Sequence, residues 1–400
     1  MGFVRSSSRL FGVIVISFTV SGVSFAQGEG SGTSWSPAES PMYAIHKTTG
    51  PWMLMFHENI FVQFLYESGL RGSDQFGSVN WAMGTAQRSL GRGKLGLKAM
   101  FSAEPLTIQG CGYPDLLASG ERCDGEPIHD RQHPHDVFME LAATYDAPLM
   151  GETRWQLYLA PAGEPALGPV AFPHRVSAMS SPLAPISHHW LDATHISFGV
   201  VTGGIYSHRW KAEGSVFNGR EPDEHRADFD FGRLDSVSGR LWFLPTSRLA
   251  LQFSIGQLTE AEESGIDVVR TTASMTYHHP LQEGLWATTA AWGSNSESDR
   301  RSNALLLETT LTLRDRDTWY GRFEVARKNA HDLAVADSDE EFAVAKIQAG
   351  YTRYLGDVGP FQPGVGAGVS LGIVPETLKD AYGKRANVGA AFYLTLRPAR

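Results

Sequence analysis

From Trp52 onward the chain is written in short runs of period two. Within Lys94–Phe101, Leu95, Leu97, Ala99 and Phe101 alternate with Lys94, Gly96, Lys98 and Met100. Within Leu249–Gly256, Leu249, Leu251, Phe253 and Ile255 alternate with Ala250, Gln252, Ser254 and Gly256. Trp319–Ala326 and Val388–Arg397 repeat the scheme, with one face apolar and the other polar or small. This is the periodicity of strands with one wet and one apolar side. It predicts about sixteen strands, each long enough to cross a bilayer at a tilt. They fall at 52–66, 75–89, 94–103, 137–147, 153–160, 194–206, 210–218, 236–244, 249–258, 269–278, 285–292, 302–313, 318–327, 343–355, 361–371 and 386–397.

The connections alternate in length. Short turns fall at 90–93, 148–152, 207–209, 245–248, 280–284, 314–317 and 356–360. Long ones fall at 67–74, 104–136, 161–193, 219–235, 259–268, 293–301, 328–342 and 372–385. A soluble sandwich has no reason for such alternation, whereas an outer-membrane barrel has tight turns at one rim and long loops at the other. The expected fold is therefore all-β: a closed, antiparallel, up-and-down transmembrane barrel of porin-like size over 51–400, with long external loops at 104–136 and 161–193.

A barrel gives the charged face of each strand one place to go. Lys98, Glu140, Lys211, Glu213, Arg240, Glu308, Arg322, Glu324 and Lys346 are expected to face the lumen. A lysine or arginine on the lipid side would cost about 2–4 kcal/mol at mid-depth. Trp52, Tyr66, Trp155, Tyr206, Trp210, Trp319, Tyr320 and Tyr354 lie near strand ends, where interfacial aromatic girdles form.

The N-terminus points to export. Arg5 and Arg9 precede an apolar run, Leu10–Val20, too short for a comfortable span, and Ser24-Phe25-Ala26 suits a cleavage site. Residues 1–26 read as a signal peptide and 27–50, rich in Gly, Ser, Pro and Thr, as a flexible segment. Cleavage would move the formal charge from −9 to −11. That acidity gives no reason to expect nucleic acid as a partner. The only two cysteines, Cys111 and Cys123, share one loop of an exported chain, so a disulfide is expected between them.

The candidate chemistry is concentrated in the two longest loops. Ile128–Asp136 holds His129, His133, His135, Asp130 and Asp136, and Ser187–His195 holds His188, His189, Asp192 and His195. Imidazole and carboxylate are ligands for divalent metals. Strand order puts His135 and His195 at the external ends of strands two places apart, roughly 10 Å. A zinc or copper site built from His133, His135, Asp136, His188, His189, Asp192 and His195 is one reading. The other is a hydrogen-bonded polar network that folds both loops inward as a plug. The spacing matches no named metal motif. If the strand that brings Glu140 inward began before Asp136, His133 and His135 would point to lipid, so the segment is read as loop. Glu221, Asp223, Glu224 and His225 read as a solvated acidic loop, with a calcium site as the alternative. His57-Glu58 reads as a lumen-facing pair and His278-His279-Pro280 as a turn at the surface.

His133-Pro134-His135-Asp136, Gly163–Pro169, His188–Asp192 and the Phe217–Glu224 string FNGREPDE together resemble a group of Gram-negative outer-membrane barrel proteins. The resemblance implies a fold and a location. It supplies no activity, so no catalytic residue is carried over. No nucleophile elbow of the serine-hydrolase kind stands out, and Ser187-His188-His189 is only a weak local substitute. The chain is therefore expected not to be an enzyme and to have no established cofactor. Its expected partners are the lipid bilayer and small solutes or cations that pass a constricted lumen, with a homotrimer as a possible assembly. A sealed structural barrel is the alternative, and behind it a barrel-embedded hydrolase.

Overall fold

The computed structural model describes residues 28–261, 265–298, 300–336, 338 and 340–399. The signal peptide expected at 1–26 lies outside them. Sixteen long strands form the wall of a closed antiparallel barrel. They are β1 (Trp52–Glu67), β2 (Asp74–Leu90), β3 (Gly93–Phe101), β4 (Phe138–Met150), β5 (Thr153–Gly163), β6 (Ser197–Tyr206), β7 (Trp210–Phe217) and β8 (Ser236–Thr246). Then come β9 (Leu249–Leu258), β10 (Val268–Leu281), β11 (Gly284–Glu297), β12 (Arg300–Leu313), β13 (Asp317–Asn329), β14 (Glu341–Tyr354), β15 (Phe361–Ile373) and β16 (Ala386–Pro398). Each strand pairs with the next in sequence, and β16 closes on β1 from Leu396↔Ile60 to Gly389↔Glu67. The lower part of β1 instead pairs with a short strand, Ile45–Thr49.

Period two places the side chains as the sequence requires. On β13, Tyr320, Arg322, Glu324 and Lys328 are buried, while Trp319 and Phe323 are exposed. Phe64, Leu97, Leu159, Leu241, Phe253, Leu305, Ile347 and Leu394 continue the exposed apolar band around the wall. Tyr206, Tyr320 and Tyr354 are exceptions to the expected girdle. Tyr206 shares parity with Thr202 and packs on the buried Trp35, and Tyr320 and Tyr354 share parity with Arg322 and Thr352 and lie inside, buried.

Two boundaries differ from expectation. Most of the connection expected at 293–301 is strand: β11 runs on to Glu297 and β12 starts at Arg300, and these two residues are still in register. The strand expected from 194 begins at Ser197, and His195 ends a single 3-10 turn, Ala193–His195. In β4 the strand starts after Asp136, with a register shift where Phe101↔Phe138 follows Met100↔Glu140. A bulge of this kind lets a loop end without imposing strand parity on its last residues.

The lumen is filled rather than open. Residues 102–137, between β3 and β4, and 164–196, between β5 and β6, fold back into it. Apolar patches form between these loops and the wall, as where Leu116, Leu117, Ile186 and Trp190 pack on Ala304, Ala326 and Val344. Small hydroxyls on the inner wall, including Thr202, Ser254, Thr272, Thr289 and Thr352, have no exposed surface.

The segment expected to be flexible, 27–50, is the largest departure. Its described part begins with a hairpin in which Gly28–Glu29 pairs with Trp35–Ser36, and residues 30–36 are buried inside the barrel. Lys98 Nζ donates to Gly32 O at 2.6 Å, Lys211 Nζ donates to Thr33 O, and Arg240 Nη2 reaches Thr33 Oγ1 at 3.2 Å. Gly32 sits at φ +55°, where a Cβ would also come within 2.6 Å of the Glu164 side chain. A positive φ and that close approach both require glycine. The chain then leaves at the tight-turn rim, where Glu39 pairs with Arg248 at 2.8 Å.

Candidate functional site

All nine charged side chains expected in the lumen are buried inside the barrel. Most bind what fills it. Glu308 takes Arg175 of the 164–196 loop at 2.5 Å and the wall residue Arg322 at 3.1 Å. Arg175 also holds Asp192 at 2.9 Å, and Ser187 Oγ donates to Glu324 at 2.7 Å. Arg240 joins Glu213 and Glu164, each at 2.9 Å. Lys346 meets Asp115 of the 102–137 loop at 2.5 Å and Glu67 at 2.9 Å. Lys211 pairs with Glu213 at 3.1 Å and lies over the Trp35 ring. Glu140 accepts from Tyr158 at 2.9 Å. A buried charge needs partners of this number and quality, because its desolvation cost is several kcal/mol.

Where the two loops meet, near the long-loop rim, five histidines gather around Phe172. Ring centroids of His188 lie 5.2 Å from His195, 5.3 Å from His189 and 6.4 Å from His133. His133 and His189 are 6.3 Å apart, and His135 and His195 5.3 Å. The Phe172 ring stacks on His135 and meets His188 and His195 edge-on.

Each imidazole is fixed at Nδ1. His188 bonds Asp192 at 2.8 Å, His135 bonds Glu104 at 2.9 Å and His189 bonds Glu221 at 3.1 Å, while His133 Nδ1 meets the Pro134 carbonyl at 3.3 Å and lies 3.2 Å from Glu121 Oε2. His195 bonds the Asp192 carbonyl at 2.8 Å. An acceptor at Nδ1 places the proton there and turns a lone pair out at Nε2. The Nε2 atoms of His133, His189 and His195 are buried with no hydrogen-bond partner. Unpaired buried polar atoms are rare and call for a reason.

Burial holds His133 and His195 well below the ordinary imidazole value, with Arg226 adding to the effect at His133 and His188 at His195. Burial also lowers His188, against the pull of Asp192. For His135 burial acts the same way, but the Glu104 carboxylate outweighs it and raises the value. For Asp192 burial acts upward, and the Arg175 guanidinium overrides it and holds the carboxyl low. Neutral rings prevail where no carboxylate wins.

The seven residues expected to form a metal site therefore divide. Asp192 orients His188 and His195 and anchors Arg175. Asp136 lies 3.7 Å from Arg226. Among the described residues, two groups have all their ligand atoms within 4.8 Å of one another: Cys111, Cys123 and Asp124, and Asp223, Asp228 and Asp230. The first is spent on the Cys111–Cys123 disulfide, and the second lies on the surface loop flagged in the sequence. The imidazoles are neighbours by ring and are not drawn together by ligand atom.

Several participants carried no sequence signal. Glu104, Glu121 and Arg175 sit singly in loops, and only the fold brings them to their partners. His57 and His174 pack with Trp81 at 4.4–5.4 Å. His57 Nε2 also has no partner. His278 is buried and bonds Ser40 at 2.7 Å, so it is not at the surface. A G-x-S-x-G string, Gly368-Val369-Ser370-Leu371-Gly372, lies inside β15 rather than at a strand-to-helix turn, and Ser370 Oγ donates to Glu67 at 3.3 Å.

A cavity of about 370 Å³ adjoins the cluster on the long-loop side, lined by Gly120, Glu121, His189, Glu221 and Asn295 among others. The cavities beside His174 and His195, and beside His135 and Phe172, measure about 10 and 20 Å³. Each has room for about one water.

No sequence-family profile matches the chain, and no curated protein matches it. Solved structures do match in fold. OmpF of Salmonella typhi, solved as a complex with daunomycin, aligns with a TM-score of 0.53 at 10% identity over 88% of this chain and 100% of its own. An anion-selective porin from Comamonas acidovorans gives 0.52 at 10% identity, over 86% and 99%. The outer-membrane channel DcaP of Acinetobacter baumannii gives 0.50 at 9% identity, over 87% and 99%. At such identities the likeness shows the fold alone: this chain is a porin-like β-barrel.

Proposed function

We propose that this chain is a Gram-negative outer-membrane barrel that forms a constricted pore for small polar solutes, with cations preferred, and that the described conformation is its closed state. One observation carries the reading. The inner wall is charged and hydroxylated along its length, and the filling segments dock on it through ion pairs and hydrogen bonds. A wall meant to be permanently sealed gains more from apolar filling, since a buried ion pair is often no better than a hydrophobic replacement. Withdrawal of the plug would leave a hydrophilic lumen of the kind porins use. The cation preference rests on the acidic groups Glu121, Glu221, Asp223 and Glu224 at the long-loop mouth. The exposed apolar band supports insertion in a bilayer.

Planar-bilayer recording on the purified chain tests this. Rare openings that become frequent when 104–136 is deleted are expected. Silence in both forms would leave the second reading, a sealed structural barrel, which the solvent-free packing of the inner wall favours. We read the barrel as non-enzymatic: Ser187, the local nucleophile candidate, donates its hydroxyl hydrogen bond to Glu324 rather than to a histidine. Chemical cross-linking in native membranes tests for the homotrimer.

A further inference from the structure

The structure assigns a transition-metal site to His133, His188 and His189, with their Nε2 atoms as ligands and zinc(II) or copper(II) as the ion. The assignment does not depend on whether the barrel conducts.

These three rings form a closed triangle, with centroids 5.3, 6.3 and 6.4 Å apart. Metal–nitrogen bonds to imidazole are about 2.0–2.1 Å, which puts the centroids of two rings on one tetrahedral ion about 5.2 Å apart, and about 6.4 Å apart at a straight angle. Taken together the triangle is slightly too wide: the point equidistant from the three centroids lies about 3.5 Å from each, against about 3.2 Å for a ligating ring, so the rings must close by a few tenths of an ångström to share one ion. His188 and His189 are held at the far nitrogen by the carboxylates of Asp192 and Glu221, and His133 by the Pro134 carbonyl with Glu121 3.2 Å away. Carboxylate–histidine–metal relays have this form: the acid fixes the tautomer, aims the ring and raises the basicity of the ligating nitrogen.

A second observation points to a ligand. The Nε2 atoms of His133 and His189 are buried and unpartnered. A purely structural histidine network would satisfy both ring nitrogens, because an unmet buried acceptor costs about 1–3 kcal/mol. The wall next to His189 is bare backbone. A Cβ on Gly120 would lie 2.1 Å from His189 Nε2, so only glycine allows the ring to pack this close to the loop backbone. The ligand atoms do not yet converge, and rotation of the rings about their Nδ1 hydrogen bonds is what would gather them. Three imidazoles with an open fourth position suit zinc or copper(II) over the oxygen-seeking magnesium and calcium. The large cavity reaches His189, so that fourth position has access from the long-loop side.

The experiment uses the full mature chain in detergent, with folding verified by heat-modifiable migration. Equilibrium titration with zinc(II) and copper(II) is paired with X-ray absorption at the metal edge. One ion per chain and a multiple-imidazole scattering pattern are expected. His133→Ala or His189→Ala should weaken binding at least 100-fold and Glu221→Gln about 10–100-fold. The triple variant Asp223→Asn/Asp228→Asn/Asp230→Asn should bind as the parent does. Absence of binding, binding lost in the aspartate variant but kept in the histidine variants, or an oxygen-only spectrum would each overturn the assignment. The spectrum of the unaltered protein decides the matter even where a variant does not fold.

Discussion

Arg175 is where the 164–196 loop is most firmly tied to the wall, so its removal is the sharpest test of a movable plug. The side chain is 1% exposed, with Nε on Glu308 at 2.5 Å and Nη1 on Asp192 at 2.9 Å and on the Val170 carbonyl at 2.8 Å. Arg175→Ala leaves Glu308 with Arg322 and Ser177, and leaves Asp192 with His188 and the backbone N–H of Phe172. Breaking one side of a buried ion pair costs about 3–5 kcal/mol. In a withdrawn loop the freed carboxylates meet water and most of that cost disappears. The docked state alone is therefore penalised, and the ratio of open to closed should rise by about two to three and a half orders of magnitude. Single-channel recording reads this as open probability at fixed voltage. Replacing both ends of the pair, Arg175→Met with Glu308→Leu, removes the uncompensated charge and should return the barrel to closure. Open probability unchanged in Arg175→Ala, in protein whose heat-modifiable migration is normal, would refute the gate.

The other expectations follow from the same contacts. Deletion of 28–36 removes the acceptors of Lys98 and Lys211, bonds worth up to about 1.5–3 kcal/mol each, and should raise conductance and speed thermal unfolding. The Cys111→Ser/Cys123→Ser double variant should cost about 2–4 kcal/mol and show first as faster proteolysis within 102–137. Inward wall residues lean basic, with Lys98, Lys211, Arg240, Arg270, Arg322, Lys328, Lys346 and Arg397 against Glu67, Glu140, Glu213, Glu308 and Glu324, so loss of 104–136 should move the reversal potential from cation toward anion preference. Zinc at about 100 times its dissociation constant should lower open probability, and His133→Ala should abolish that effect.

The wall was legible because a barrel strand must alternate, and each face meets a different solvent. Lumen charges such as Lys346 and Glu308 were legible for the same reason, since lipid excludes them. The N-terminal hairpin was not. It is held by its own backbone carbonyls at Gly32 and Thr33, and a carbonyl leaves no mark on residue choice. Its Gly-Ser-Thr composition suits a buried close approach as well as it suits a flexible tether. Tyr320 and Tyr354 misled because an aromatic near a strand end serves an interface or a lumen equally well, and only parity with Arg322 and Thr352 separates the two. The clustering of histidines in two loops was plain, and so was the residue type. What the sequence could not supply was the division of labour. Glu121 lies 12 residues before His133 in a loop with no repeating pattern, and Glu221 lies 32 residues beyond His189 on another loop, so neither pairing can be read without the closed barrel.

The plug and the histidine triangle are linked by where their residues come from. His133 and Glu121 belong to the 102–137 loop, His188, His189 and Asp192 to 164–196, and Glu221 to the connection between β7 and β8. The triangle therefore exists only when all three loops are docked together. Any ion that needs it binds the docked state and not the withdrawn one, and stabilises docking by RT ln(1 + [M]/Kd), about 2.7 kcal/mol at a hundredfold excess over Kd. That is close to the energy at stake in one wall ion pair, so a metal at this junction has the leverage to set the plug's position. The five imidazoles are poorly suited to hold the loops alone. Three of them, His133, His189 and His195, leave a buried Nε2 unmet, and such a ring contributes less than an apolar residue that would fit the same space. Their presence is economical only if something completes them, and the charged wall is economical only if the plug sometimes leaves. On the proposed function, both features suit a junction that is occupied and vacated better than a stopper.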